Sequence, residues 1–211
     1  MGVKERRERE KSTTRDKILD AARELFGQLG YDGVSMRQVA EKIEYSPTAI
    51  YVHFADKEDL FHELCNEDFA RLAAEFQSTE LPADPVERIK QIGRSYIEFG
   101  IRYPNHYKLM FMTPHPAAEL DECDQQIKGN PEVDAYALLV LTVKQALAEG
   151  RFRDDIQGPD LISQTLWAGV HGVISLHIAK GNDGWVEWLP LHERIELMLD
   201  AVLRGMMKEG N

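Results

Sequence analysis

Apolar residues recur at helical spacing along most of the chain, and no segment alternates with the period of a β-strand. One stripe near the start joins Ile18, Ala22 and Phe26, and Gly30 ends it. The pattern predicts an all-α protein of about nine helices. These cover approximately residues 13–29, 36–43, 47–54, 56–76, 86–103, 107–111, 133–148, 159–179 and 191–206.

Prolines and charged runs divide this helical pattern. Residues 78–85 are polar and hold two prolines, so we expect a domain boundary near residue 80. An N-terminal domain would then cover residues 13–60, with a connecting helix to about 78, and a C-terminal domain would cover 80–211. Residues 113–131 hold three prolines and predict a loop. Residues 1–12 mix basic and acidic side chains without an apolar pattern, which predicts a disordered arm.

The stretch between Ser35 and Phe54 contains two short helical patterns with their own start signals. Ser35 caps the first, and Gln38 completes a capping box. Ser46 caps the second, and Pro47 occupies its first helical position, where a missing N–H costs nothing. A joint of about three residues, followed by a helix with small hydroxylated side chains, is typical of a helix-turn-helix that enters a DNA major groove.

These residues carry a resemblance to a known family. The matching positions are Ile18, Ala22, Phe26, Gly30, Tyr31, Ser35, Val39, Ala40, Ser46, Pro47, Ile50, Tyr51, His53, Phe54, Lys57 and Leu60. Together they resemble the three-helix DNA-binding domain of the TetR family of transcriptional regulators, over roughly residues 13–60. The chain has Glu44 where the family usually has glycine in the turn. If that position is left-handed, the side chain costs about 1 kcal/mol.

The resemblance implies a set of DNA-binding residues. Thr48 and Ala49 would contact base edges or thymine methyls, and Tyr51, His53 and Lys57 would contact phosphates, although Lys57 also fits a solvated lysine. A helix beginning at residue 13 or 14 would place its N-terminus against a phosphate. The full implied set is Thr14, Arg15, Ser35, Arg37, Ser46, Pro47, Thr48, Ala49, Tyr51, His53 and Lys57. Arginines and lysines of the arm are a further candidate for the backbone or minor groove.

The C-terminal half contains a W-x-x-x-H-G pattern at Trp167, His171 and Gly172, which resembles the WHG subgroup of the family. Trp167 and His171 share a helix face and fit either core packing, a ligand cavity or a dimer seam. Gly93 and Gly100 leave space for a ligand, and Pro104 breaks a helix between aromatic residues. Candidate ligand-binding residues, which equally fit plain core, are Tyr96, Phe99, Tyr103, Tyr107, Met110, Phe111, Tyr136, Trp167 and His171.

The last two helices predict an assembly. Residues 161–179 are apolar almost all round, and the final helix adds a second apolar stripe. We therefore expect a homodimer through these two helices, bound to a palindromic operator in double-stranded DNA. Polar residues interrupt the apolar run, so it indicates a buried helix and not a membrane span.

A net charge of −11 argues against binding to nucleic acid, but the charges are distributed unevenly along the chain. Residues 1–55 hold ten basic and nine acidic side chains, whereas the remainder holds fifteen and twenty-seven. An acidic body behind a weakly basic N-terminal domain would orient that domain toward DNA.

Other chemistries lack their patterns. Phosphate-loop, dinucleotide and nucleophile-elbow motifs are missing, and the seven histidines and two cysteines have no metal-ligand spacing, so we expect no enzyme, cofactor or metal. Two cysteines, Cys65 and Cys123, with no signal-peptide pattern fit a reduced cytoplasmic setting. The resulting hypothesis is a transcriptional repressor released from DNA by a small hydrophobic or aromatic ligand. A helix-turn-helix protein-interaction module and a helical enzyme are the alternatives.

Overall fold

The computed structural model describes residues 2–114 and 122–208, without the side chains of residues 3 and 122–124. These residues form ten helices, and the all-α prediction is confirmed. The helices are α1 Val3–Leu29, α2 Met36–Lys42, α3 Pro47–Tyr51, α4 Lys57–Ser78, α5 Pro85–Arg102, α6 Pro104–Met112, α7 Glu122–Ile127, α8 Ala135–Ala148, α9 Pro159–Lys180 and α10 Leu191–Met206. Helix α7 was not expected, because it lies in the proline-containing segment that predicts a loop. Residues 115–121 of that segment lie outside the described residues.

The chain forms two compact units whose boundary differs from the expected one near residue 80. The first unit runs to Asp68 and also contains α6 from Asn105, whereas the second begins at Phe69 and resumes after α6. The proline-containing linker at residues 78–85 separates two helices, but side-chain packing determines which residues belong to each compact unit. Leu64 and Leu109, for example, are fully buried in the core of the first unit.

The first unit is built on the apolar stripe of α1. Ile18, Ala22 and Phe26 are buried, and the ring of Phe26 meets Phe61 edge-on at 5.0 Å between centroids. Gly30 ends α1 with a φ of 70°, a left-handed conformation that favours glycine. The core of this unit also contains Val34, Met36, Val39, Ala40, Ile50, Phe54, Leu60, Phe61, Leu64, Cys65 and Leu109.

The disordered arm expected for residues 1–12 is wrong, because α1 begins at Val3. Starting a helix is costly, but adding residues to an existing helix is cheap when they are good helix formers. The packed part of α1 supplies the start, and the added residues are mostly Glu, Lys and Arg. Arg6 pairs with Glu10 one turn away, and the Glu5 carboxylate accepts the N–H of Gly2. The extension therefore needs no apolar partner.

In the second unit, α5, α8, α9 and α10 pack against one another. Asp84 caps α5 and Asp134 caps α8, each accepting two backbone N–H groups. Arg94 of α5 pairs with Glu196 of α10 through two contacts of 2.7 Å. Apolar side chains of α9 and α10 nevertheless stay exposed in the single chain. Leu161, Leu176 and Leu197 are 65%, 50% and 72% exposed.

Candidate nucleic-acid interface

Both start signals predicted for the two short helices of the first unit are formed. The N–H of Gln38 donates to the Ser35 hydroxyl at 3.3 Å, and the Ser35 N–H donates to the Gln38 side chain at 2.8 Å. The N–H of Ala49 donates to the Ser46 hydroxyl at 3.3 Å, with Pro47 at the first helical position. These caps fix the residues at which α2 and α3 begin, Met36 and Pro47.

The joint itself holds a strained residue. Glu44 has a φ of 61°, which is the left-handed conformation. Glycine, the residue that the resembled family usually has at this position, adopts it without strain. The next residue, Tyr45, donates its N–H to the carbonyl of Ala40 at 2.9 Å, which closes the turn. A side chain in this conformation costs about 1–2 kcal/mol, and the surrounding caps hold it there.

Helix α3 presents one face to solvent and buries the other. Ile50 is fully buried and Phe54, just beyond the helix, is 2% exposed. Ser46, Pro47 and Thr48 are exposed, Ala49 is partly buried, and Tyr51 is 53% exposed. The exposed side chains at the start of the helix, Ser46, Pro47 and Thr48, are short, and the phenol of Tyr51 follows about one turn later. Its side chains are therefore small enough for a helix to enter a groove about 12 Å wide.

Two of the predicted phosphate-binding residues, Lys57 and His53, differ in how the protein holds them. The Lys57 ammonium donates to the carbonyl of Tyr31 at 3.1 Å and lies 4.2 Å from the centre of its ring. The buried Nδ1 of His53 has no hydrogen-bond partner among the described residues. Partial burial lowers the pKa of His53, and the nearby charges of Lys11 and Arg15 lower it further. His53 is therefore neutral near pH 7, with an imidazole whose hydrogen-bonding capacity the protein leaves partly unused.

The helix-end argument for Thr14 and Arg15 is wrong, because both lie in the interior of α1. The Thr14 hydroxyl donates to the carbonyl of Glu10, and no free helix N-terminus exists there. Arg15 pairs with Glu63 and Glu67 of α4, and its guanidinium lies 5.5 Å from the centre of the Phe54 ring. Ser35 and Arg37 are exposed, and Arg37 pairs with Glu41 on its own helix at 2.8 Å.

A buried ionic cluster in the first unit was not predicted. Asp68 of α4 is fully buried, and it accepts hydrogen bonds from Arg23 of α1 at 3.1 Å. The Nδ1 of His106 on α6 lies 2.7 Å from the same carboxylate. The three partners are separated by about forty residues in sequence, so no local pattern indicates them. The cluster ties together the three helices behind α2 and α3.

The candidate ligand residues divide between the two units. In the second unit, the Tyr96 hydroxyl lies 3.4 Å from Nδ1 of His171, and the ring centres of Tyr136 and Trp167 are 5.9 Å apart. The buried Tyr136 hydroxyl has no hydrogen-bond partner among the described residues. Phe99 is 2% exposed and packs on Tyr103.

Two expectations about this group need correction. Gly93 leaves no space, because a Cβ there would lie 2.9 Å from a Leu199 methyl and 3.2 Å from a Val170 methyl. The glycine instead allows α5 to approach α9 and α10 closely. Tyr107, Met110 and Phe111 belong to the first unit, where Tyr107 is fully buried.

Metal and membrane chemistry receive no support from the part of the chain that the structure describes. No three His, Cys, Asp or Glu side chains there are grouped as metal ligands would be. In the same residues, no helix is both long enough and apolar enough to cross a membrane.

Two family profiles match the chain. Residues 18–64 match the bacterial regulatory proteins of the tetR family, and residues 89–202 match the tetracyclin repressor-like C-terminal domain. The second match alone spans more than half of the chain. The two matched ranges contain the α2–α3 joint and the aromatic residues of the second unit, respectively.

Individual proteins give a consistent picture. The chain is 30% identical to the HTH-type transcriptional regulator AcrR of Shigella flexneri over 143 residues, which are 65% of this chain and 66% of AcrR. It is 45% identical to the HTH-type transcriptional repressor AcnR of Corynebacterium diphtheriae over 64 residues, 30% of this chain and 34% of AcnR. The chain therefore spans just under two thirds of AcrR and about a third of AcnR.

Solved structures share the fold. A TetR family transcriptional regulator from Chloroflexus aurantiacus superposes with a TM-score of 0.69 at 18% identity, over 94% of this chain and 95% of that one. The fatty acid degradation regulator FadR from Bacillus halodurans superposes with a TM-score of 0.68 at 18% identity, over 90% and 94%.

Proposed function

This chain belongs to the TetR family of bacterial regulatory proteins, and from that premise we propose that it is a sequence-specific DNA-binding regulator of transcription. The observation that carries the proposal is the α2–α3 pair. Ser35 caps α2, and the Ser46 cap and the buried Ile50 fix α3, so that Thr48 and Tyr51 are exposed on a rigid support. A recognition helix must be held in this way if its side chains are to read bases.

We propose roles for individual side chains that the TetR resemblance implies and that their positions support. Thr48 and Ala49 lie at the start of α3 and would contact base edges or thymine methyls. Tyr51, His53 and Lys57 would bind phosphates, Tyr51 through its exposed phenol and His53 through a neutral ring nitrogen. Neutral donors of this kind position the protein without adding to the counterion release that charged contacts produce.

We further propose a homodimer formed through α9 and α10. Leu161, Leu176 and Leu197 are exposed on these helices, and Trp185 is 90% exposed in the segment that connects them. Large apolar side chains left in water favour an interface between subunits. Leu197→Lys should produce monomers in sedimentation experiments, whereas Leu141→Lys, at an exposed leucine of α8, should leave the dimer intact. A parent chain that sediments as a monomer at micromolar concentration would contradict the dimer.

The regulatory step we propose is repression that a small hydrophobic or aromatic ligand relieves. The residues supporting it are Tyr96, Tyr136, Trp167 and His171, which combine aromatic surface with polar tips inside the second unit. Sites of this composition bind mostly apolar molecules and orient them with a few hydrogen bonds. The ligand must bind the DNA-free form more tightly than the DNA-bound form, since equal affinity would shift nothing.

Tyr136→Phe tests the ligand proposal without disturbing the fold. The substitution removes a buried hydroxyl to which none of the described residues forms a hydrogen bond, so the free energy of unfolding should stay constant or rise. A panel of aromatic and fatty acyl compounds should contain molecules that release the parent from DNA, and Tyr136→Phe should respond less to those with a polar group. Equal responses of the variant and the parent across the panel would remove Tyr136 from the site.

Selection from random double-stranded fragments tests the proposal as a whole. The purified chain should enrich an inverted repeat whose half-sites are about one helical turn, or slightly more, apart. Recovery of fragments without a shared sequence would contradict sequence-specific binding and favour the protein-interaction module.

A further inference from the structure

Several basic residues of the N-terminal extension of α1 lie on one side of the helix. Lys4, Arg7, Lys11 and Arg15 follow one another at spacings of three or four, which places them on one side of a helix. The same spacing continues into Ile18, the first fully buried residue of the α1 stripe. The side of α1 that packs in the core of the first unit thus becomes, toward the N-terminus, a basic stripe.

The stripe lies beside the end of α3. Arg15 contacts the Phe54 ring, and the charges of both Lys11 and Arg15 act on the His53 imidazole. Lys4, Arg7 and Lys11 line one shallow groove along the helix together with Glu8. The basic side chains therefore begin where the predicted phosphate contacts end, and they lead away from that point along α1.

The cationic side chains of the stripe are available to bind an anionic partner. Within the described residues, Lys4, Arg7 and Lys11 form no ion pair, whereas Arg6, on another side of the same helix, pairs with Glu10. All three are exposed. An anionic membrane is a poor partner, because residues 4–12 offer no apolar side chain for insertion. A regular row of phosphates suits the stripe better.

We propose that Lys4, Arg7 and Lys11 form a second DNA-binding surface, which binds backbone phosphates flanking the half-site that α3 reads. The inference rests on the proposed function. Seven residues of helix span about 10 Å, and one DNA strand presents a phosphate about every 3.4 Å of its axis, so the stripe covers roughly three phosphates. Three flexible cationic side chains on a straight helix match this spacing without any change of backbone. The surface extends the footprint and adds affinity that does not depend on sequence.

Two double variants with equal charge change test the surface. Lys4→Ala/Arg7→Ala removes two members of the stripe, and Arg6→Ala/Arg9→Ala removes two cations from other sides of the same helical segment. Binding to the selected operator is measured by titration at several salt concentrations. The stripe variant should lower the slope of log K against log salt by about 1.8, or 0.9 for each lost contact, while the control keeps the parent slope.

Footprinting and a charge-preserving variant complete the test. The stripe variant should lose backbone protection at the flank of each half-site and keep protection within it. Lys4→Arg/Arg7→Lys should behave as the parent, and circular dichroism should show equal helix content in all chains. If the parent selects no operator, the proposed function fails. If the parent selects one and both double variants lower the slope equally, net charge explains the result and the stripe inference alone is wrong. If neither variant lowers the slope, Lys4 and Arg7 contact no phosphate and the stripe inference alone is again wrong.

Discussion

Replacing Arg23 with alanine probes the buried ionic cluster behind the helix-turn-helix. The Arg23 side chain is 9% exposed and the Asp68 side chain has no exposed surface, so water cannot replace the lost partner. Arg23 also contacts Asp20 at 2.9 Å, but Asp20 is largely exposed and loses little. The consequence therefore depends on Asp68, whose carboxylate keeps the contact with Nδ1 of His106 at 2.7 Å.

The magnitude follows from this burial. Removing one partner of a buried ion pair costs about 3–5 kcal/mol, because the other charge stays desolvated. The remaining His106 contact reduces the loss, so we expect about 3 kcal/mol for Arg23→Ala. Adding Asp68→Asn removes the stranded charge and should recover a large part of that loss. The coupling energy of the double-mutant cycle should thus exceed about 1 kcal/mol.

Urea unfolding measures all four members of the cycle. A second cycle on Arg37 and Glu41, an exposed pair on α2, serves as the control and should show much weaker coupling. Strong coupling at the exposed pair, or none at Arg23 and Asp68, would refute the reasoning. The alternative would be that solvent reaches Asp68 and that the cluster does not hold α1, α4 and α6 together.

Further predictions concern single residues. Glu44→Gly relieves the left-handed strain of about 1–2 kcal/mol but loosens the unfolded chain, so urea unfolding should show a net gain of about 0.5–1 kcal/mol; a loss would contradict the strain. Burial holds the pKa of His171 below 6.5, so the unfolded chain binds more protons and stability should fall as the pH drops below 6.5. His171→Gln should reduce this dependence, and a variant whose stability falls as steeply as that of the parent would contradict the burial of His171. Burial raises the pKa of the Cys65 thiol to about 12, so in a Cys123→Ser background a thiol reagent should modify it only after unfolding; rapid modification of the native chain would show that Cys65 is accessible.

Short-range sequence signals predicted the helix caps of α2 and α3, but they did not predict the buried ionic cluster behind these helices. Ser35 and Ser46 act on backbone groups within three residues, so their caps can be read from sequence. The left-handed Glu44 agrees with the glycine that the TetR resemblance implies at this turn position. The Asp68 cluster depends on helices brought together by packing, which sequence spacing does not encode.

The same limit explains two errors. Polar residues at the start of α1 suggested disorder, since an apolar stripe is a signal for packing and not for helix propagation. Gly93 suggested a cavity, but a missing side chain permits close approach as readily as it leaves a void. In the first case propagation from the packed part of the same helix decides the outcome, and in the second the close approach of α9 and α10 decides it.

In this account, α3 contacts the base edges of DNA, and the flanking residues bind the phosphates of the DNA backbone. The most direct test measures the binding of Thr48→Ala, Tyr51→Ala and Lys57→Ala to the selected operator and to single-base-pair variants of it. Thr48→Ala should lose about 1–3 kcal/mol of discrimination at one base pair and little elsewhere. Tyr51→Ala and Lys57→Ala should weaken binding to every operator by a similar factor, and Lys57→Ala should also lower the salt slope by about 1. Equal affinity of all three variants and the parent for every operator would contradict the assignment of α3 as the recognition helix.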